Sequence, residues 1–202
     1  MNDLIDLVDK KPLEQPVQEF LEKNPAAICG ANYVLGRCVI SKLPLGNEYK
    51  TDFAYVNPQS GCTFLHLVEI EKPDKSIFTK NDEFTKEFNQ ALQQVNDWLF
   101  WCANNSQYLY DFFEPLRQKS GDSIGYYNAR GLLIYGRNSE INNVRRKERW
   151  SQKTRENNFI EIRTYDGFAK EMNSFLPPNT LFNNMVDLYH YVQRDFKPKK
   201  MA

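Results

Sequence analysis

The segment Phe64-Leu65-His66-Leu67-Val68-Glu69-Ile70-Glu71-Lys72 constrains the fold of this chain more than any other. The run before Glu69 is almost wholly apolar, as a central strand covered on both faces must be. Side chains alternate across a strand, so Leu65, Leu67, Glu69 and Glu71 share one face. Phe64, His66, Val68 and Ile70 share the other. Two carboxylates therefore stand on one face at the strand's end, with Cβ atoms about 7 Å apart at a rise of about 3.3 Å per residue.

Residues 51–57 read as the preceding strand, and Asn57-Pro58-Gln59-Ser60-Gly61 as the turn between the two. In an antiparallel hairpin the start of one strand lies beside the end of the other, which brings Asp52 to Glu69 and Glu71. Three converging carboxylates repel one another unless a cation is held between them. Hard divalent ions such as Mg²⁺ bind through one or two carboxylates plus water and phosphate oxygens. Such an ion can activate water and stabilise a displaced phosphodiester oxygen. The plainer alternative makes Glu71 and Lys72 solvated strand-end residues and pairs Glu69 with an arginine.

Around this hairpin the sequence predicts a helix over residues 14 to about 28, with a break at Asn24-Pro25. A strand is expected at 33–41. A long helix over about 82–104 carries the apolar stripe Phe84, Phe88, Ala91, Val95, Trp98 and Cys102. A strand at 131–136, a polar and basic helix at 140–157 and a short strand at 159–163 follow. Helices are expected at 166–174 and about 180–194, separated by Pro177-Pro178. The intermixing of strands and helices predicts one α/β domain over 1–202 with a mixed sheet flanked by helices. Residues 169–202 are expected to form a C-terminal helical extension.

Composition excludes several classes. No run of about 18 apolar residues could span a bilayer, and the acidic N-terminus lacks a signal-peptide pattern. A cytoplasmic protein with no membrane partner is expected. Cys29, Cys38, Cys62 and Cys102 form no Cys-x-x-Cys pair, and His66 and His190 lie far apart, which argues against a zinc site. His66 reads as a packed strand histidine and Trp98 and Trp101 as core. Formal net charge is zero, so any nucleic-acid surface must be local. Arg145, Arg146, Lys147 and Arg149 are its main candidates, because lysine and arginine contacts supply most sequence-independent DNA affinity. Arg37 and Arg137, at strand ends, are weaker ones.

The pattern Gly46-Asn47-Glu48-Tyr49-Lys50-Thr51-Asp52-Phe53, then Leu67 to Pro73, then Ala91 to Trp98, resembles the Shedu family. Glu14 to Pro25 resembles that family's opening helix, and Ile134 to Arg137 and Ile160 to Asp166 its later strands. The likeness spans about residues 14–168. It implies a prokaryotic anti-phage defence protein with a PD-(D/E)XK-type, restriction-endonuclease-like nuclease domain, acting on DNA with Mg²⁺ or Mn²⁺ and self-associating. Asp52 matches the metal-binding aspartate, Glu69 the acid of the (D/E)xK element, and Gln94 a polar residue on the following helix. Spacing agrees for Gln94, which lies about 60° off the apolar stripe, with Glu87 on the same flank. Glu71 is expected as a third metal ligand.

One departure stands out. The superfamily's usual lysine lies two residues after the acid, and here that position holds Glu71. Lys72 comes one residue later and, in a regular strand, points to the opposite face unless a bulge redirects it. The expected function is a metal-dependent DNA endonuclease, with Lys72 and Gln94 positioning water or phosphate. The competing expectations are a binding module of the same fold that has lost its chemistry, and an oligomerising structural protein.

Overall fold

The computed structural model describes residues 3–60, 62–120, 124–175, 186–192 and 195–198. In chain order the elements are α1 (Asp3–Val8), α2 (Glu14–Lys23), α3 (Ala26–Cys29), β1 (Cys38–Ser41), β2 (Pro44–Leu45), β3 (Tyr49–Lys50), β4 (Phe53–Gln59) and β5 (Cys62–Ile70). Then come α4 (Lys86–Asn104), α5 (Ser106–Phe112), α6 (Glu114–Ser120), β6 (Asn128–Ile134), α7 (Val144–Glu156), β7 (Ile160–Arg163), α8 (Tyr165–Phe175), β8 (Asp187–Val192) and β9 (Asp195–Pro198).

The main sheet has the order β7-β6-β5-β4-β1-β8-β9. Strand β4 runs antiparallel to β5, with Phe53 opposite Val68, and β6 runs parallel to β5, with Leu133 beside Glu69. The expected mixed sheet flanked by helices is therefore present. Strand β5 is interior, and its two faces feed separate cores. Leu65 and Leu67 pack with Phe88, Ala91, Val95 and Trp98 of α4. Val68 and Ile70 pack with Leu4, Val17, Leu21, Tyr165 and Phe168 from α1, α2 and α8.

The long helix starts later than its apolar stripe suggests. Thr85 caps it, its hydroxyl accepting the Phe88 N–H at 3.2 Å, which satisfies one of the orphan donors at a helix start. The break at Asn24-Pro25 falls where expected, since α2 ends at Lys23 and α3 begins at Ala26. Of the strand expected at 33–41 only Cys38–Ser41 forms, because Gly36 adopts a left-handed conformation (φ 61°) that turns the chain first.

The C-terminal expectation holds only for its first helix, since the one expected at 166–174 is α8. The helix placed at about 180–194 lies partly outside the described residues, and where it is described, Asp187–Val192 is a strand. It pairs in parallel with β1, Val39 beside Leu188, so the segment extends the main sheet instead of forming a helical appendage. Leu188 and Tyr189 are both buried, and adjacent residues contact opposite layers as strand geometry requires.

At Gly131 of β6, helix α4 packs closely on the sheet. A Cβ there would stand 2.4 Å from Val95 Cγ1. Gly131→Ala is expected to cost about 1–3 kcal/mol through overpacking. Denaturant unfolding measures it, and because Val95 neighbours Gln94 the substitution also displaces a residue of the site below.

Candidate active site

The end of β5 and the start of β4 meet at the edge of both cores. Asp52 immediately precedes β4, and its N–H donates to the Val68 carbonyl at 3.2 Å. Its Oδ2 accepts the Ile70 N–H at 2.8 Å and its Oδ1 pairs with Lys42 Nζ. Asp52 is only 6% exposed. Lys42 follows β1 with φ +57°, a left-handed conformation costing a residue with a Cβ roughly 1 kcal/mol. Its own N–H donates to the Asp52 carbonyl at 2.8 Å, so main chain and side chain both tie it to Asp52.

Glu69, 8% exposed, faces α4, where Gln94 Nε2 donates to its Oε1 at 2.8 Å. Burial pushes its carboxyl far above the ordinary carboxylate range. The Asp52 charge adds to this, and so does a hydrogen bond to the Asp52 carboxyl that favours the protonated Glu69. Glu71 and Glu14 push in the same direction. The carboxyl of Glu14, at the start of α2, is raised first by burial and then by Asp52 and Glu71, while Lys42 and Lys75 pull it back. Four acids thus share one electrostatic environment.

Glu71 is held from two sides. Its carboxylate accepts Lys75 Nζ at 2.5 Å, and its backbone carbonyl accepts the Tyr165 hydroxyl at 2.5 Å. Tyr165 is fully buried, and its hydroxyl is raised by burial and then by Asp52, Glu14, Glu71 and Glu69. Lys72 lies beyond the end of β5 and pairs with Asp74 at 3.1 Å.

Among the described residues, no three His, Cys, Asp or Glu side chains are gathered as a group that could hold a metal ion. The carboxylates that come together are a pair, Asp52 and Glu69, with Gln94 on the second and Glu71 drawn to Lys75. Glu87, expected on the flank of Gln94, is exposed.

The basic candidates divide. Arg146 donates to Asp82, to the Glu140 carbonyl at 3.0 Å and to the Thr79 carbonyl at 3.1 Å. Arg149 donates to the Asp82 carbonyl at 2.6 Å. Both tether the 79–82 loop to α7. Arg145 and Lys147 stay exposed. Arg137 forks onto Asp166 at 2.9 and 3.0 Å and reaches Asp9 at 2.7 Å. His66 stacks on Tyr55 with ring centroids 4.5 Å apart, and its pKa falls to about 4 through burial and then the Arg130 charge.

Sequence reasoning missed Glu14, Lys42, Lys75 and Tyr165. Glu14 stood in the helix that resembles the family, yet only tertiary packing brings that helix to the sheet end. Lys75 carried a readable signal, being four residues after Glu71.

No curated protein matches this chain. The family model described as Shedu protein SduA, C-terminal, matches residues 11–169 and so covers α2 through β7 and every residue of the acidic site. With Asp52, Glu69 and Gln94 assembled inside a match that spans most of its length, the chain belongs to the Shedu family of prokaryotic defence proteins.

Proposed function

We propose that this protein is a metal-dependent deoxyribonuclease of anti-phage defence, an endonuclease that hydrolyses DNA phosphodiester bonds at a PD-(D/E)XK-type site. The observation that carries the reading is the buried Asp52–Glu69 pair, in which one carboxyl is driven far above its ordinary range beside the other. Such a pair is relieved by a proton or a cation. The donors are carboxylate oxygens, with no thiolate or imidazole among them, which suits Mg²⁺ or Mn²⁺. Two carboxylates suffice for Mg²⁺, which keeps several of its waters. Lys42 and the Ile70 N–H engage the Asp52 oxygens, but each oxygen carries a second lone pair. Asp52 and Glu69 would hold the ion, and the Glu71 and Glu14 charges add to the negative field around them. When bound, the ion supplies an acidified water and a countercharge for the displaced oxygen.

The remaining roles belong to side chains of this protein. Gln94 fixes the Glu69 carboxyl in orientation. Lys42 brings from the end of β1 the positive charge that Glu71 displaces from the usual position. Lys72, which pairs with Asp74 at 3.1 Å, is assigned no role in this reading. DNA backbone contact falls to the exposed Arg145 and Lys147. The double substitution Arg145→Glu, Lys147→Glu is expected to weaken DNA binding uniformly across sequences. It should also lower the log-affinity against log-salt slope by about 2, measured by fluorescence anisotropy. Self-association belongs to the same proposal, with Phe100 and Tyr108 as exposed rings on α4 and α5.

The test is cleavage of plasmid and linear DNA with Mg²⁺ or Mn²⁺ by wild type, Asp52→Ala and Glu69→Ala. Products from wild type alone are expected, and identical behaviour of all three overturns the reading. Salt-sensitive DNA binding with no product in any metal favours the alternative, a binding module of the same fold.

A further inference from the structure

A second polar cleft lies toward the other end of β5, on the opposite face of the strand from Glu69. At a rise of about 3.3 Å per residue, Phe64 and His66 stand roughly 10–16 Å along the strand from Glu69. The cleft has a volume of about 230 Å³ and is lined by Asn32, Asn57, Phe64, His66, Arg130 and Phe159, among others.

Arg130 is the unusual member. Its guanidinium lies 5.2 Å from the Phe64 ring centroid and 4.6 Å from that of Phe159. Among the described residues it has neither a carboxylate partner nor a hydrogen-bond acceptor. Arg163, the arginine that lines two other clefts, is by contrast paired with Glu161 and Glu171. A half-buried guanidinium packed against rings keeps its N–H edge free. That edge is a flat bidentate fork matching the oxygens of phosphate or carboxylate.

The surroundings define the rest of a ligand. His66 is neutral at ordinary pH, so Arg130 is the cation of the lining and Glu161, tied to Arg163, its acid. Asn57 is buried and holds Asn32 Oδ1 through its amide at 3.1 Å, while Asn32 in turn donates to the Tyr55 hydroxyl at 3.0 Å. This chain fixes the cleft wall. The Phe159 ring, 60% exposed, offers a free face for stacking.

We infer that the Arg130 cleft binds a phosphate ester attached to a planar base, with Arg130 on the phosphate oxygens and Phe159 against the base. The phosphate can come from a free nucleotide or from a nucleic-acid strand, and the cleft is separate from the acidic site.

The test is isothermal titration of the full chain with dAMP, deoxyadenosine, inorganic phosphate and a 5′-phosphorylated oligonucleotide, for wild type, Arg130→Gln and Arg130→Lys. Circular dichroism and melting verify that each variant folds. Wild type is expected to bind dAMP and inorganic phosphate but not deoxyadenosine. Arg130→Gln should lose at least about tenfold in affinity, and Arg130→Lys should lose less but still measurably, since it keeps the charge without the fork. Competition between dAMP and the oligonucleotide identifies a free or terminal phosphate as the source. Arg130-dependent oligonucleotide binding without dAMP binding identifies the strand. Either result supports the site. Equal binding of every phosphate ligand to wild type and Arg130→Gln, or no binding of any of them, overturns it. Adding Glu69→Gln to each titration keeps the two sites distinguishable, because the Arg130 affinities should not change.

Discussion

Glu69→Gln is expected to abolish DNA cleavage and, at the same time, raise the melting temperature at pH 7 in chelator. The wild-type carboxyl is buried against Asp52, and its folded-state pKa stands far above the unfolded value. Folding therefore favours the protonated form. The stability this group contributes is fully present below the ordinary carboxylate pKa of 4.5 and is lost as pH rises through the folded-state value. Glutamine keeps the geometry without that loss. Its oxygen accepts the Gln94 amide that Glu69 Oε1 accepts now, and its amide can donate to Asp52. A gain of about 1–3 kcal/mol at pH 7 follows from linkage, roughly 3–10 °C for a domain of this size. Melting curves from pH 4 to 8 should converge at the acid end and separate above it. Cleavage falls because the neutral amide gives up the anionic ligand, with a loss on the order of 10²-fold or more. A variant that is more stable and inactive is the signature of a strained functional pair.

Lys42→Met is the second large effect, and it too separates two quantities. Lys42 now occupies Asp52 Oδ1, so at the proposed site it would compete with a divalent ion for the same oxygen. Its removal should tighten Mn²⁺ binding. Cleavage should nevertheless slow by on the order of 10²-fold, because the positive charge proposed to stabilise the developing phosphate oxyanion is gone. The loss is expected in kcat rather than KM, as for an interaction made in the transition state. Lys42→Arg should recover part of the rate. A lysine that merely neutralised Asp52 would give tighter metal binding with unchanged kcat.

Much of this site is legible in one alternating strand. The apolar run from Phe64, the carboxylate at Glu69 and the hairpin partner at Asp52 follow from period two and antiparallel pairing. Gln94 comes from the family resemblance, with helical angle in agreement, and it reaches Glu69 where Gly131 lets α4 settle on the sheet. Other features depend on packing that no local pattern encodes. Glu14 arrives through the core formed by Val17 and Leu21. Lys42 arrives through a left-handed residue after β1, which a lysine gives no reason to expect. The Lys75 partner of the Glu71 carboxylate, expected as a third metal ligand, lies outside what the alternating strand encodes. In the same way, the β8 strand replaces an expected helix because the free edge of β1 offers hydrogen bonds that sequence period does not reveal.

The most direct measurement is calorimetric titration of Mn²⁺ at pH 6.5 in two buffers of different ionisation enthalpy. Burial and the Asp52 charge favour the protonated Glu69, so a divalent ion held between the two carboxyls would expel that proton. Binding to wild type should release about one proton per ion, and Glu69→Gln should bind far more weakly and release none. Equal affinity in wild type, Asp52→Asn and Glu69→Gln, or binding with no proton released, would contradict the account.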